Sequence, residues 1–144
     1  GEGIKKKALE KRVKLEGLDN VLILPYQERD CLRESLNSCD VSIVITKKGC
    51  EGFVVPSKLY PLMACGNPIV GLMSKNSEAA DTIKSANCGY VVDNSEELFN
   101  VLTVLKKNKK KRGLLGKNAR SFFLNNFDRK IVTRKYINLL KELL

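Results

Sequence analysis

The chain has 144 residues, 43% of them apolar, and a formal net charge of +10. That length and apolar content suit a folded domain with a real core and argue against disorder. There is no apolar run near the ~20 residues that span a bilayer, no signal-peptide pattern at the front, and no histidine.

Residues 4–16 read as the first helix, with Ile4, Ala8, Leu9 and Val13 near one face and Gly17 as its C-terminal stop. The run Val21-Leu22-Ile23-Leu24, halted by Pro25, predicts a strand. A helix over 28–37 leads to a second strand, Val41-Ser42-Ile43-Val44-Ile45. A loop with Gly49 and Gly52 then enters a helix from Ser57 to Cys65. Ile69-Val70-Gly71-Leu72 is the next strand, Ser77 to Ala86 the next helix, and Tyr90-Val91-Val92 the last strand. Helices over 95–107, 110–125 and 128–143 close the chain. Short β-branched strands alternating with helices predict a parallel sheet covered on both faces. Right-handed crossovers make it an α/β, doubly wound, Rossmann-like sheet. Ligands of such sheets bind where strands end and helices begin, which singles out the loops after Leu24, Ile45 and Leu72.

The five cysteines, Cys31, Cys39, Cys50, Cys65 and Cys88, form no C-x-x-C pair. With no histidine and no D-x-D, a zinc site, a histidine-activated nucleophile and a carboxylate-held divalent ion are disfavoured, so neither metal nor cofactor is expected. The cysteines read as reduced thiols of a cytosolic protein. Cys65 and Cys88 are expected to be buried packing residues. The run Lys106-Lys107-Asn108-Lys109-Lys110-Lys111-Arg112 could attract nucleic acid or an anionic membrane. No aromatic residues interleave with the lysines to stack bases, which favours a solvated loop and helix face instead.

The loop after Ile45 carries the chemistry expected of an anion and sugar site. Gly49 and Gly52 permit close backbone approach. Ser57 can cap the following helix, whose positive end suits a diphosphate. Lys58 can pair with a phosphate oxygen, and Glu51 can accept hydrogen bonds from sugar hydroxyls. An ordinary strand–loop–helix connection with a capping serine accounts for the same residues equally well.

The stretch from Cys39 to Val44 through Glu51-Gly52-Phe53, Pro56-Ser57-Lys58-Leu59-Tyr60 and Met63-Ala64-Cys65-Gly66-Asn67-Pro68-Ile69-Val70 resembles the C-terminal domain of retaining GT-B glycosyltransferases. The likeness is to the "group 1" bacterial enzymes that build surface polysaccharides. Cys88-Gly89-Tyr90-Val91-Val92 resembles that family's last-strand motif, and Gly116-Lys117-Asn118-Ala119-Arg120 its G-x-N-A-R segment. The resemblance implies a cytoplasmic enzyme, or one peripheral at the inner face of the plasma membrane. It would transfer sugar from a nucleotide diphosphate sugar to a lipid-linked or saccharide acceptor. Residues 1–144 would be a single partial domain holding the donor, with the acceptor on a separate N-terminal domain. Glu51, Gly52, Phe53, Val54 and Val55 would line the sugar and diphosphate, with Glu51 the candidate catalytic carboxylate. Ser57 and Lys58 would meet the phosphates, Pro25 and Tyr26 would sit near the base, and Gly1 and Gly3 would form the glycine turn after an earlier strand. Pro61 stands where the family often has a ribose-binding glutamate. By the resemblance the given residues are expected to start after the family's opening strand, helix and strand, so the first strand here is expected to lack its neighbours. Such a fragment would be inactive alone and prone to self-associate through the open edge. A nucleotide-sugar epimerase of related fold and a basic nucleic-acid-binding module are the alternative functions.

Overall fold

A computed structural model describes residues 2–47, 49 and 52–143. The chain divides into two units, Gly1–Ser35 and Leu36–Leu144. In the first, α1 (Lys6–Leu15) is held along its surface by Lys6 pairing with Glu2 and Glu10 and by Arg12 pairing with Glu16. None of its side chains is fully buried, and of the predicted apolar face only Val13 is partly covered. Gly17, with φ +61°, follows the helix in the left-handed region, as a C-terminal stop requires.

The predicted strand at 21–24 does not form: residues 21–28 carry neither helix nor strand. Leu22 is 81% exposed and Leu24 58%. A strand needs a neighbouring edge, and burying one without a partner costs about 1–3 kcal/mol per unpaired group. The predicted helix over 28–37 is shorter, a 3₁₀ turn at Arg29–Cys31 followed by α2 (Leu32–Asn37).

The second unit contains the predicted α/β sheet. Strands β1 (Ser42–Ile45), β2 (Ile69–Leu72) and β3 (Gly89–Val92) are parallel and stand in chain order, with Ser42 opposite Ile69 and Ile69 opposite Gly89. Between them run α3 (Leu59–Cys65) and α4 (Glu78–Ser85); after them come α5 (Ser95–Lys107), α6 (Lys109–Asn126) and α7 (Arg129–Glu142). Successive β2 side chains point to opposite faces. Ile69 joins a core with Leu59, Met63, Ile83, Cys88 and Ala119, while Val70 joins Val92, Leu105 and Leu115. Helices thus cover both faces of the central strand. On β1 only Ser42 and Val44 are buried, and Ile43 and Ile45 remain exposed. Among the described residues no helix is long and apolar enough to cross a membrane.

Two glycines fix how closely the layers approach. A Cβ on Gly89 would lie 1.6 Å from the Ile69 carbonyl oxygen, and one on Gly116 would lie 2.2 Å from that of Gly66. The G-x-N-A-R segment is therefore a clasp in α6. Gly116 admits the backbone at the end of α3, Asn118 donates to the Asn87 carbonyl at 2.9 Å, Ala119 is buried, and Arg120 donates to the Ala64 carbonyl. Asn67, buried at the entry to β2, donates to the Leu36 carbonyl at 2.7 Å and to Ser42 Oγ at 3.2 Å.

Of the two cysteines expected in the core, Cys88 is fully buried, but Cys65 is only half-buried. The inward stripe of α3 is Leu59, Leu62 and Met63, and the last helical position lies off it. Burial pushes the Cys88 thiol up to about 11. A thiol reagent should therefore modify the exposed Cys31 and Cys39 promptly and leave Cys88 protected until the protein unfolds. The unfolded thiol ionises near pH ~8.5, before the folded one, so the unfolded state loses its proton first. Stability should accordingly fall as pH rises from that value to about 11. Urea unfolding of Cys88→Ala should lack this component; an identical alkaline slope in the variant would contradict the assignment.

Candidate functional site

The carboxyl ends of the three strands open together. Ile45 and Thr46 after β1, Leu72 and Met73 after β2, and Asp93 and Asn94 after β3 line a shallow cavity of about 220 Å³. Two helices begin at this edge. Ser77 Oγ accepts from the Ala80 N–H at 3.3 Å and caps α4; Asn94 Oδ1 accepts from the Glu97 N–H at 2.9 Å and caps α5. Glu97 reaches back to accept from the Asp93 N–H at 3.3 Å. Lys75 Nζ bridges the two turns, 3.1 Å from Glu97 Oε1 and 3.8 Å from Asp93 Oδ2. The Glu97 bond, with the Asp93 and Glu97 charges, raises the Lys75 pKa above its ordinary value. This edge is thus a polar rim beside an apolar floor.

The sequence reading did not include Asp93, Asn94, Glu97 or Lys75. The spacing Asn94-x-x-Glu97 before the apolar run of α5 was the available signal, because a cap followed three residues later by glutamate marks a helix start. Asn94→Ala should cost about 1 kcal/mol in urea unfolding, the usual loss for a removed N-cap. No loss would mean that the Glu97 contact holds the turn without it.

The loop between β1 and α3 carries most of the predicted site residues. Glu51 and Gly1 lie outside the described residues. Gly52 has φ +78° and Gly49 +84°, so the loop turns twice through the left-handed region that glycine tolerates. Nothing lies within 4 Å of a Cβ built on either, so conformation rather than close protein packing selects glycine there. Phe53 is 90% exposed, Val54 is exposed and Val55 half-buried. Ser57 and Lys58 are both exposed. The expected Ser57 cap is absent: α3 starts at Leu59, Lys58 occupies the cap position in helical conformation, and no side chain caps it. The Leu59 N–H turns back to the Pro56 carbonyl at 3.0 Å, so the backbone closes the turn itself. Pro61 is the third residue of α3, within the first turn where its missing N–H is tolerated. Gly3, Pro25 and Tyr26 belong to the first unit, where all three are exposed. Among the described residues no cluster of carboxylate, cysteine or histidine ligands is arranged for a metal.

Residues 1–122 match the family described as "Glycosyl transferases group 1". Among curated proteins, the chain is 35% identical over 92 residues to "Probable glycosyltransferase WbjE" of Pseudomonas aeruginosa, covering 62% of this chain and 21% of that protein. It is 37% identical over 70 residues to "Putative colanic acid biosynthesis glycosyl transferase WcaI" of Escherichia coli (strain K12), covering 49% of this chain and 17% of that protein. The chain therefore spans about a fifth of the length of these relatives. No solved structure matches it significantly. The family match runs from the front of α1 through the clasp of α6 and includes the strand ends, the glycine loop and the polar rim. The chain belongs to the group 1 glycosyl transferases.

Proposed function

We propose that this chain is the donor-binding part, the C-terminal domain, of a retaining GT-B glycosyltransferase that moves sugar from a nucleotide diphosphate sugar to a growing bacterial polysaccharide or glycolipid. The family match over residues 1–122 carries this reading. It is supported by the parallel strands, whose carboxyl ends meet a loop built on two left-handed glycines.

The chemistry asked of the site is electrostatic. As the bond from the anomeric carbon to the diphosphate breaks, negative charge grows on the departing phosphate and positive charge on the sugar ring. Lys58, exposed at the head of α3, meets the departing charge. Its ammonium is a mobile point cation suited to a phosphate oxygen. The backbone of residues 52–55 lies along the diphosphate and sugar, with the glycine at 52 leaving room for it. Ser57 donates its hydroxyl to a phosphate oxygen, and Glu51 accepts hydrogen bonds from sugar hydroxyls beside the anomeric carbon. Pro25 and Tyr26 flank the base, with Gly1 and Gly3 at the turn near the phosphates. The acceptor, lipid-linked or saccharide, comes from the other part of the enzyme on the cytoplasmic side of the membrane. No metal or other cofactor enters this account.

The test is product analysis on the whole protein supplied with a radiolabelled nucleotide sugar and a membrane lipid extract. Label should pass to the extract in step with release of nucleoside diphosphate. Conversion of the nucleotide sugar to another nucleotide sugar, with no transfer, would overturn the proposal.

A further inference from the structure

The corner between α5 and α6 lies at the opposite edge of the sheet from the strand carboxyl ends. Arg112 donates to Asp40 at 3.0 Å, just ahead of β1, and to the Leu105 carbonyl at 2.6 Å, closing the end of α5. Lys111 sits 5.1 Å from the centre of the Tyr90 ring, near the start of β3. These two cations are committed to the fold. Lys106, Lys107, Lys109 and Lys110 are exposed, and none forms an ion pair among the described residues. Four like charges side by side create a local positive field that attracts an anionic surface.

The exposed face of α5 that leads to this corner also carries apolar surface. Phe99, 69% exposed, lines a depression of about 610 Å³ with Leu102, Thr103, Lys106 and Lys107. The spacing 99, 102, 103, 106 places these residues on one face of α5. Leu102 and Thr103 thus lie one turn, and the Phe99 ring two turns, from Lys106 and Lys107, whose stems can lie along apolar surface while their heads stay in water. Nucleic acid would use the charges but not the apolar floor, because Phe99 is the one aromatic ring there and Tyr90 is already covered by Lys111. A phospholipid surface uses both, with phosphates on the ammonium groups and the ring at headgroup depth.

We propose that the α5–α6 corner and the α5 face leading to it dock the protein on an anionic phospholipid surface through Lys106, Lys107, Lys109, Lys110 and Phe99. This does not depend on the donor-site reading, since none of these five residues is among those assigned to the donor.

The protein should be sedimented, without nucleotide, with vesicles of phosphatidylcholine alone or mixed in equal parts with phosphatidylglycerol. Binding is expected only to the mixed vesicles and should weaken steeply with added salt. Each lysine near an anionic surface contributes about fivefold in partition, so Lys106→Gln, Lys107→Gln, Lys109→Gln and Lys110→Gln together should lower binding several-hundred-fold. Phe99→Ala should lower it about five- to tenfold at unchanged charge. Changing Lys5, Lys7, Lys11 and Lys14 to Gln removes the same charge from α1 and its approach and serves as the control. Equal binding to both vesicle types would overturn the proposal. So would an equal loss in the control, or displacement from the vesicles by a single-stranded oligonucleotide at lower phosphate concentration than phosphatidylglycerol.

Discussion

Gly89→Ala should destabilise the protein by more than about 3 kcal/mol, a large part of the ~5–15 kcal/mol that holds a domain folded. The added Cβ would stand 1.6 Å from the Ile69 carbonyl oxygen and 2.6 Å from its carbon. Ile69 and Gly89 are register partners, so both offending atoms are backbone and no side-chain rotation relieves the clash. Relief requires β3 to withdraw from β2, which uncovers Val92 and Cys88 and removes ladder hydrogen bonds. Gly113→Ala is the contrasting case. Nothing lies within 4 Å of its added Cβ, and inside α6 alanine should stabilise by about 0.5–1 kcal/mol. Urea midpoints for the two variants should therefore move in opposite directions. An unchanged midpoint for Gly89→Ala would show that the two strands are not in this register.

Lys58→Ala should weaken nucleoside diphosphate binding to the whole protein by about 1–3 kcal/mol, roughly five- to more than a hundredfold, the scale of a charge-assisted hydrogen bond. Lys58 is exposed, makes no ion pair among the described residues, and precedes an α3 whose inward residues Leu59, Leu62 and Met63 are undisturbed by the change. Folding should consequently be unaffected, and calorimetry reads the ligand term directly. Lys58→Arg keeps the charge and should recover much of the affinity, whereas Ser57→Ala should lose less because a neutral hydroxyl bond is weaker. Unchanged affinity in Lys58→Ala would remove the phosphate role.

The strands that pack with their sequence neighbours were legible from pattern. β1, β2 and β3 are parallel and adjacent in chain order, and α5, α6 and α7 lie within two residues of their expected limits. A short, continuous β-branched run suffices there because each strand finds its partner nearby. Residues 21–24 have the same apolar signature and form no strand, since composition reports what a side chain prefers and not whether an edge exists to receive it. Ser57 was read as a cap from its place before an apolar run, but the backbone turn from Pro56 to Leu59 delays the helix by two residues. The α5–α6 lysine run was visible at once. Its division into Lys111 and Arg112, bound to the fold, and four exposed lysines, two of them lining the Phe99 depression, needed three-dimensional contacts. The motif around Gly116 was legible as a family likeness, and the structure gives its physical content: a glycine that lets α6 touch the end of α3.

Amide chemical-shift mapping of the whole protein during titration with a nucleoside diphosphate tests the donor-site account most directly. Perturbations should concentrate in residues 46–58 and at the strand ends, Met73 and Asp93 to Ser95, and should shrink in Lys58→Ala. No perturbation at saturating ligand, or shifts centred on Asn87, Asn118 and the opposite edge of the sheet, would contradict it.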